Sequence, residues 1–225
     1  MTELSSDYWN TVSRTFEETN QQKLLRCVSD QINISLFNTW LPAEKKQRLL
    51  KTDLFDESFT DGLYPLLSNH AELVVGIDIT SDFVAAARKR HPQMVTVNAD
   101  VCNLPFPSET FDIIVSNSTL DHFETSGEII TGLQELKRVL KKQGHLLITL
   151  DNYTNPIVFL RNTLPFDLLH RLGIVPYYVG ATFSGRQLRH VLEKMDFTVL
   201  ETTSCWHFPR ILLAALAITS NTFSS

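Results

Sequence analysis

Carboxylate side chains close several apolar runs of this chain, and their positions indicate ligand binding. Asp53 ends the run Arg48–Asp53, Asp78 ends the run LVVGID, and Asp100 follows the run Val95–Asn98. An ionised carboxylate only accepts hydrogen bonds, so it can hold the hydroxyl, amino or ammonium groups of a ligand. Acids that end neighbouring parallel strands meet at the edge where open α/β folds bind nucleotides and related ligands.

A fourth apolar run, Phe111–Ser116, is followed by Asn117 and then by Leu-Asp-His-Phe, which contains His122. His122 is the histidine that this pattern brings to the same edge. A histidine there can act as a general base on a hydroxyl or acid nucleophile. It can equally pack against its loop or orient it, and both interpretations stay open.

The elements that must position these residues are five apolar runs alternating with helical patterns. The predicted strands are Arg48–Asp53, Leu73–Asp78, Val95–Asn98, Phe111–Ser116 and His145–Leu150. The helices predicted between or after them include Asp82–Arg90, Gly127–Leu140 with a stop at Gly144, and Gly185–Met195. This alternation predicts an α/β fold with a doubly wound, mostly parallel sheet and helices on both faces.

The chain is long enough for one substantial domain with additions, so we expect a single domain over residues 1–225. Residues 1–46 read as a helical N-terminal cap and residues 47–150 as the core of the sheet. Residues 151–183 form a long aromatic-rich insertion after the fifth strand. Residues 184–225 predict a helix, a strand over Phe197–Trp206 and an apolar helix.

The composition of the chain bears on its expected binding partners and its expected cellular location. The formal net charge of −5 makes a nucleic acid partner unexpected. Three cysteines without a CxxC pair, and no signal peptide, fit a cytoplasmic protein. No His or Cys cluster has metal-ligand spacing, so no metal is expected. The apolar run 211–218 is too short to span a membrane and reads as a core helix or as a peripheral membrane contact.

Two longer stretches carry a resemblance to a known family. They are NADVCNLPFPSETFDIIVSNSTLDHF and LQELKRVLKKQGHLLIT, which follow the run VVGIDIT. Together they resemble the class I S-adenosylmethionine-dependent methyltransferases, in particular the branch that acts on small molecules. The resemblance covers roughly Leu49 to Leu150 and implies a Rossmann-like core.

The cofactor implied by the resemblance is S-adenosyl-L-methionine. The residues that it would contact are Asp53, Gly62, Asp78, Ile79, Asp100, Val101 and Asn117. Asp78 would accept both ribose hydroxyls, and Asp53 would lie near the ammonium of the methionine part. Asn117 would offer its backbone carbonyl where the reactive methyl group lies.

The remaining contacts implied by the resemblance concern the adenine. Ile79 would flank the ring, Asp100 would accept from the adenine amino group, and Val101 would donate its backbone N–H. Asp78 and Asp100 could otherwise be a helix-capping acid and a turn acid, and Ile79 could be a core residue.

One segment departs from the family pattern. Where the family usually has D-x-G-x-G-x-G, this chain has Asp53-Leu54-Phe55-Asp56-Glu57-Ser58-Phe59, and Gly62 could supply the missing flexibility. Asp56 or Glu57 could also meet the cofactor's ammonium or sulfonium. If Phe55 and Phe59 fill the cofactor cleft, the chain is a non-catalytic binding or scaffold protein; if they turn into the interface between sheet and helix, the cleft survives.

The function predicted from the sequence is methyl transfer from S-adenosyl-L-methionine to a small-molecule or lipid-like acceptor. The aromatic insertion and the apolar run 211–218 favour an acceptor with an apolar part. Four side chains in or beside the insertion could face it or could simply pack the cap: Tyr153, Tyr177, Tyr178 and Arg186. The pattern predicts no particular oligomeric state.

Overall fold

The protein is described from a computed structural model, in which residues 3–15, 20–171, 178 and 180–204 are described. In this part of the chain five strands form one sheet: β1 (Lys46–Lys51), β2 (Ala71–Asp78), β3 (Val95–Asn98), β4 (Phe111–Asn117) and β5 (Leu140–Thr149). The strand order is β3-β2-β1-β4-β5, and every neighbouring pair is parallel. The predicted α/β, Rossmann-like, doubly wound fold is thereby confirmed.

The helices connect and flank these strands. They are α1 (Glu3–Thr15), α2 (Asn20–Trp40), α3 (Phe55–Phe59), α4 (Tyr64–His70), α5 (Ser81–Arg90), α6 (Ser126–Val139), α7 (Pro156–Thr163), α8 (Phe166–Arg171) and α9 (Gly185–Lys194). A short 3₁₀ turn covers Leu120–His122. No helix in the described ranges is long and apolar enough to cross a membrane.

Successive residues of β1 supply the two layers of the core, because side chains alternate across a strand. Leu49 packs on one face with Phe37 of α2 and Leu67 of α4. Leu50 packs on the other face with Leu133 of α6. Each of these side chains is fully buried, so both faces of the sheet are covered.

The expected helix stop at Gly144 is wrong. Helix α6 ends before Leu140, and β5 begins at that residue, so the Lys-Lys-Gln-Gly segment belongs to the strand. The strand tolerates it because the register shifts there and Gln143 adopts a left-handed φ of 62°. Lys141 is held by Asp112 of β4, with Nζ 2.8 Å from Oδ1.

The predicted strand over Phe197–Trp206 is also not found where the structure describes it. Residues 197–204 form no strand, and residues 205–206 and the apolar run 211–218 lie outside the described residues. Phe197 packs beside the α6 core cluster, whereas Leu200 is 77% exposed. The alternation of apolar and polar residues therefore reflects a segment with one packed face. It does not indicate a strand, because a strand also needs a hydrogen-bonded neighbouring strand.

Candidate active site

The strand order brings the carboxyl ends of β1, β2 and β4 together. The chain moves from β1 to β2 in one direction and later to β4 in the other, and α/β sheets bind ligands at such a reversal. Asp53 follows β1 and Asp78 ends β2. The backbone N–H of Leu54 donates to Oδ2 of Asp78 at 3.0 Å, and the hydroxyls of Thr52 and Thr119 are 2.7 Å apart. These contacts connect the segment after β1 with the end of β2 and with the segment after β4.

Asp78 is held by two backbone donors. Oδ2 accepts from Leu54 and Oδ1 accepts from the N–H of Thr80 at 2.8 Å. The pKa of Asp78 is raised to about 7, chiefly by burial and then by the negative charge of Asp53, while the two donors oppose the shift. The side chain stays partly exposed, and each carboxylate oxygen has a second lone pair, so Asp78 can still accept from a ligand.

The segment that lacks the family's glycines forms helix α3. Oδ1 of Asp53 accepts from the backbone N–H of Phe55 at 2.6 Å and starts the turn. The ring centroids of Phe55 and Phe59 lie 5.2 Å and 6.0 Å from the centroid of Phe83 on α5, and 5.2 Å from each other. Both phenylalanines therefore pack at the interface between α3 and α5, and not at the interface between sheet and helix that the sequence analysis considered.

Gly62, predicted to contact the cofactor, makes room for a carboxylate. Its φ is +52°, and a Cβ atom there would lie 2.5 Å from Oε1 of Glu57. Glu57 is fully buried, its Oε1 accepts from the N–H of Leu63 at 2.9 Å, and its Oε2 lies 2.8 Å from Nζ of Lys51. A contact between Gly62 and the cofactor stays a prediction.

Acidic side chains outnumber the one lysine at this edge. Burial disfavours the ammonium of Lys51, but Glu57, Asp53 and Asp56 outweigh it, so the pKa of Lys51 is raised. Burial, followed by the charges of Asp53 and Glu57, raises the pKa of Asp56 to about 7. A positively charged ligand would relieve this excess of negative charge.

The predicted adenine side lies at the ends of β2 and β3. Oδ1 of Asp100 accepts from the N–H of Cys102 at 2.9 Å, and burial raises the pKa of Asp100. The side chain of Val101 is buried in the core, whereas Ile79 is partly exposed. The amide of Asn98 donates to the carbonyl of Ile79 at 2.9 Å and fixes this turn. The residues predicted to contact adenine thus follow two neighbouring strands, and the contacts themselves stay predictions.

Asn117 ends β4 with its side chain turned towards β5. Its Oδ1 accepts from the hydroxyl of Thr149 at 2.7 Å, and only 6% of the residue is exposed. Its side chain therefore ties the two strands together. The predicted contact through its backbone carbonyl stays a prediction.

His122 connects its turn to two other segments. Its Nδ1 lies 3.1 Å from the carbonyl oxygen of Tyr178, and its ring meets Trp9 of α1 edge-on at a centroid distance of 4.8 Å. A carbonyl oxygen can only accept, so Nδ1 carries the proton and, in the neutral ring, Nε2 carries the lone pair. The geometry allows a base and also a packing role, as the sequence left open.

Helix α1 reaches across the edge from one side to the other. The hydroxyl of Tyr8 accepts from the N–H of Tyr178 at 2.7 Å. Further along the helix, the hydroxyl of Ser13 and Nε of Arg14 donate to Oδ2 of Asp82 at 3.2 and 3.3 Å. Asp82 lies in the first turn of α5, next to β2, so the N-terminal cap predicted from the sequence is bound on both sides of the strand ends.

The insertion after β5 lines a cavity of about 520 Å³. Tyr153 and Tyr178 line it, which is compatible with both roles that the sequence left open. Arg186 is exposed on α9 and does not line it, and Tyr177 lies outside the described residues. The other lining residues are Glu124, Ser126, Arg161, Asn162, Leu164, Phe166, Leu169, Gly180, Ala181 and Thr182.

Sequence reasoning missed a charged group beside this cavity. Nη1 of Arg161 lies 2.7 Å from Oδ2 of Asp151, and the N–H of Asp151 donates to Oδ2 of Asp121 at 3.3 Å. Asp121 is 3% exposed, and its burial raises its pKa. Asp151 directly follows the predicted fifth strand, so the rule that drew attention to Asp53 and Asp78 could have found it.

The residues at the strand ends fit the cofactor that the resemblance implies. Asp53, Asp56 and Asp78 give an acidic edge suited to a ligand with a sulfonium and an ammonium. Asp78 can accept hydrogen bonds from the ribose diol of such a cofactor. Ile79 and Asp100 would give its adenine ring one apolar and one polar neighbour. Among the described residues, no group of three or more His, Cys, Asp or Glu side chains is placed to hold a metal ion.

The chain is similar in sequence and fold to several known proteins. Residues 60–148 match the family described as a methyltransferase domain, a match that begins just after α3. The demethylmenaquinone methyltransferase of Corynebacterium kroppenstedtii is 33% identical over 105 residues, which are 47% of this chain and 43% of that protein. A probable S-adenosylmethionine-dependent methyltransferase of Mycolicibacterium smegmatis is 22% identical over 142 residues, 63% of this chain and 50% of that protein.

The chain thus spans about half the length of these two relatives or less. A solved chain from the complex between the Haloferax volcanii Trm112 methyltransferase activator and the putative methyltransferase shares the fold. Its TM-score is 0.65 at 15% identity, covering 91% of this chain and 81% of that one. The motifs, the sheet and these matches make the central part of the chain similar to the class I S-adenosylmethionine-dependent methyltransferases.

Proposed function

We propose that the protein transfers a methyl group from S-adenosyl-L-methionine to a small-molecule or lipid-like acceptor. The observation that carries this proposal is the packing of Phe55 and Phe59 against Phe83, because it keeps both rings in the α3–α5 interface. The scaffold alternative, in which these rings would occupy the cofactor cleft, is the second candidate, and the cofactor titration below separates the two.

The acids at the strand ends would hold the cofactor, with Asp78 at the ribose and Asp53 at the ammonium. When bound, the cofactor supplies a methyl group already activated on a sulfonium. Alignment of the acceptor would then account for much of the rate, and His122 would act as the base that removes a proton from the acceptor.

The cavity of the insertion supports an acceptor with an apolar part. Its lining combines Tyr153, Phe166 and Leu169 with the charged Arg161. Next to it, Phe159 and Leu160 on α7 are about half exposed, at 48% and 56%. The relative from Corynebacterium kroppenstedtii is named for a demethylmenaquinone, which fits the same class of acceptor. A peripheral membrane contact through 211–218 and a cytoplasmic location stay predictions.

Calorimetric titration with S-adenosyl-L-methionine and S-adenosylhomocysteine tests the cofactor part. We expect micromolar binding that Asp78→Ala abolishes and that Glu72→Ala, at the opposite end of β2, leaves unchanged. Absence of binding by the unaltered protein would refute the proposal in favour of the scaffold alternative.

The acceptor class is tested with radiolabelled methyl donor and two cell extracts. Protein incubated with an organic extract should transfer label into an organic-soluble product, and Asp78→Ala should not. Label transferred only in the aqueous extract, or only to nucleic acid, would contradict the lipid-like acceptor.

A further inference from the structure

The connection from β1 to α4 is built around a buried ion pair. Lys51 is 1% exposed and Glu57 is 0% exposed, and Nζ lies 2.8 Å from Oε2. Lys51 is the last residue of β1, and Glu57 is in the middle of α3. The pair therefore spans the segment in which the family pattern places its glycines.

Further contacts extend the pair in both directions. The ammonium of Lys51 donates to the backbone carbonyl of Asp53, and Oε1 of Glu57 accepts from the N–H of Leu63 at the start of α4. Gly62 lacks the Cβ that would collide with Glu57. One network thus fixes the end of β1, the α3 turn and the entry to α4.

The backbone held by this pair is the one that contacts the acids of the edge. The N–H of Phe55 donates to Asp53, and the N–H of Leu54 donates to Asp78. A shift of α3 would therefore move both carboxylates. Because a buried ion pair seldom adds net stability over apolar residues of the same size, stability alone does not account for it.

We infer that the Lys51–Glu57 ion pair is the positioning device that replaces the glycine-rich cofactor loop, by holding the α3 turn where Asp53 and Asp78 face the cofactor. The inference rests on the proposed function, since it concerns the same site. Lys51 and Glu57 act through the two aspartates and the backbone, so they are positioning residues and not catalytic ones.

The test compares Lys51→Met, Glu57→Gln and the double variant, with Lys137→Met as control. The double variant removes one charge of each sign, so the net charge of the edge is unchanged, and the amide oxygen introduced by Glu57→Gln can still accept from Leu63. Lys137 forms an exposed pair with Asp196 away from the site. Each protein is measured by urea unfolding and by calorimetric titration with S-adenosylhomocysteine.

We expect Lys51→Met to be the least stable, because it leaves the carboxylate of Glu57 buried without its counter-charge, and the double variant to regain most of the lost stability. The double variant should still bind S-adenosylhomocysteine about tenfold more weakly than the unaltered protein, because the α3 turn is no longer held. The control should match the unaltered protein in both measurements.

Two outcomes are decisive against the inference. If the double variant binds within about twofold of the unaltered protein, the pair has no positioning role, while the proposed function stands. If the unaltered protein does not bind, the proposed function and the inference fall together. If the double variant stays unstable, the Glu57→Gln variant decides. Its folding is first checked by near-ultraviolet circular dichroism, and if the folded variant binds S-adenosylhomocysteine as tightly as the unaltered protein, the inference is overturned.

Discussion

Gly62 and Glu57 fit together because Gly62 has no side chain. The carboxylate of Glu57 occupies the space in which a Cβ atom of residue 62 would lie, 2.5 Å from Oε1 and 2.7 Å from Cδ. The backbone at Gly62 is also left-handed, with φ of +52°. The glycine is thus required for a buried carboxylate in a segment that lacks the family's glycines.

Gly62→Ala should destabilise the protein by about 2 kcal/mol or more, since it adds left-handed strain and a collision with Glu57. The matched control is Gly127→Ala in the first turn of α6, where the nearest atom to a new Cβ is Oγ1 of Thr125 at 3.7 Å. That variant should be neutral or slightly stabilising. Urea unfolding measures both, and equal effects would contradict the role assigned to Gly62.

The stability of the protein should fall as pH rises from about 5 to 7. Asp56 and Asp78 have pKa values raised to about 7, and the pKa of Asp121 is also raised, in each case chiefly by burial. In this window the native state holds protons that the unfolded chain, with Asp pKa near 3.9, has released, so the free energy of unfolding decreases with pH.

Urea unfolding at closely spaced pH values checks this slope. Asp121→Asn removes one of the titrating groups and should flatten the profile, whereas Asp61→Ala, an exposed carboxylate, should leave it unchanged. A free energy of unfolding that rises between pH 5 and 7 would contradict the raised pKa values.

His122 should be protonated on Nδ1 when its ring is neutral, because Nδ1 faces the carbonyl of Tyr178 at 3.1 Å. Long-range ¹⁵N–¹H NMR spectra above pH 8 distinguish the two tautomers, and His122→Gln identifies the signal. An Nε2-protonated ring would remove the lone pair from the nitrogen on which the proposed base depends.

Tyr8→Phe should loosen helix α1 without unfolding the domain. The change removes the acceptor of the Tyr178 N–H, a half-buried bond worth about 1 kcal/mol. We expect faster hydrogen exchange at the amide of Tyr178 and in α1, with little change at the core strands. Unchanged exchange at Tyr178 would show that Tyr8 does not hold the cap.

The sequence was sufficient for the sheet and for the acids at its edge. Continuous apolar runs such as the one ending at Asp78 identify strands buried on both faces, and their alternation with helices fixes a parallel sheet. The bounds of β3 match the predicted ones, and β4 ends one residue later than predicted. Strands β1 and β2 begin two residues earlier than predicted, and β5 begins at Leu140 instead of His145. The alternation over Phe197–Leu200 misled, because pairing depends on a neighbour that local pattern does not specify.

The tertiary structure alone decided how the segment after β1 is held. In the sequence, Lys51 and Glu57 are ordinary charged residues six positions apart, and Phe55 and Phe59 could turn either way. Folding buries the two charges against each other and directs both rings towards Phe83. The pairing of Arg161 with Asp151 was missed because the choice of partner arises only in the fold, although Asp151 alone could have been found as an acid directly after the predicted fifth strand.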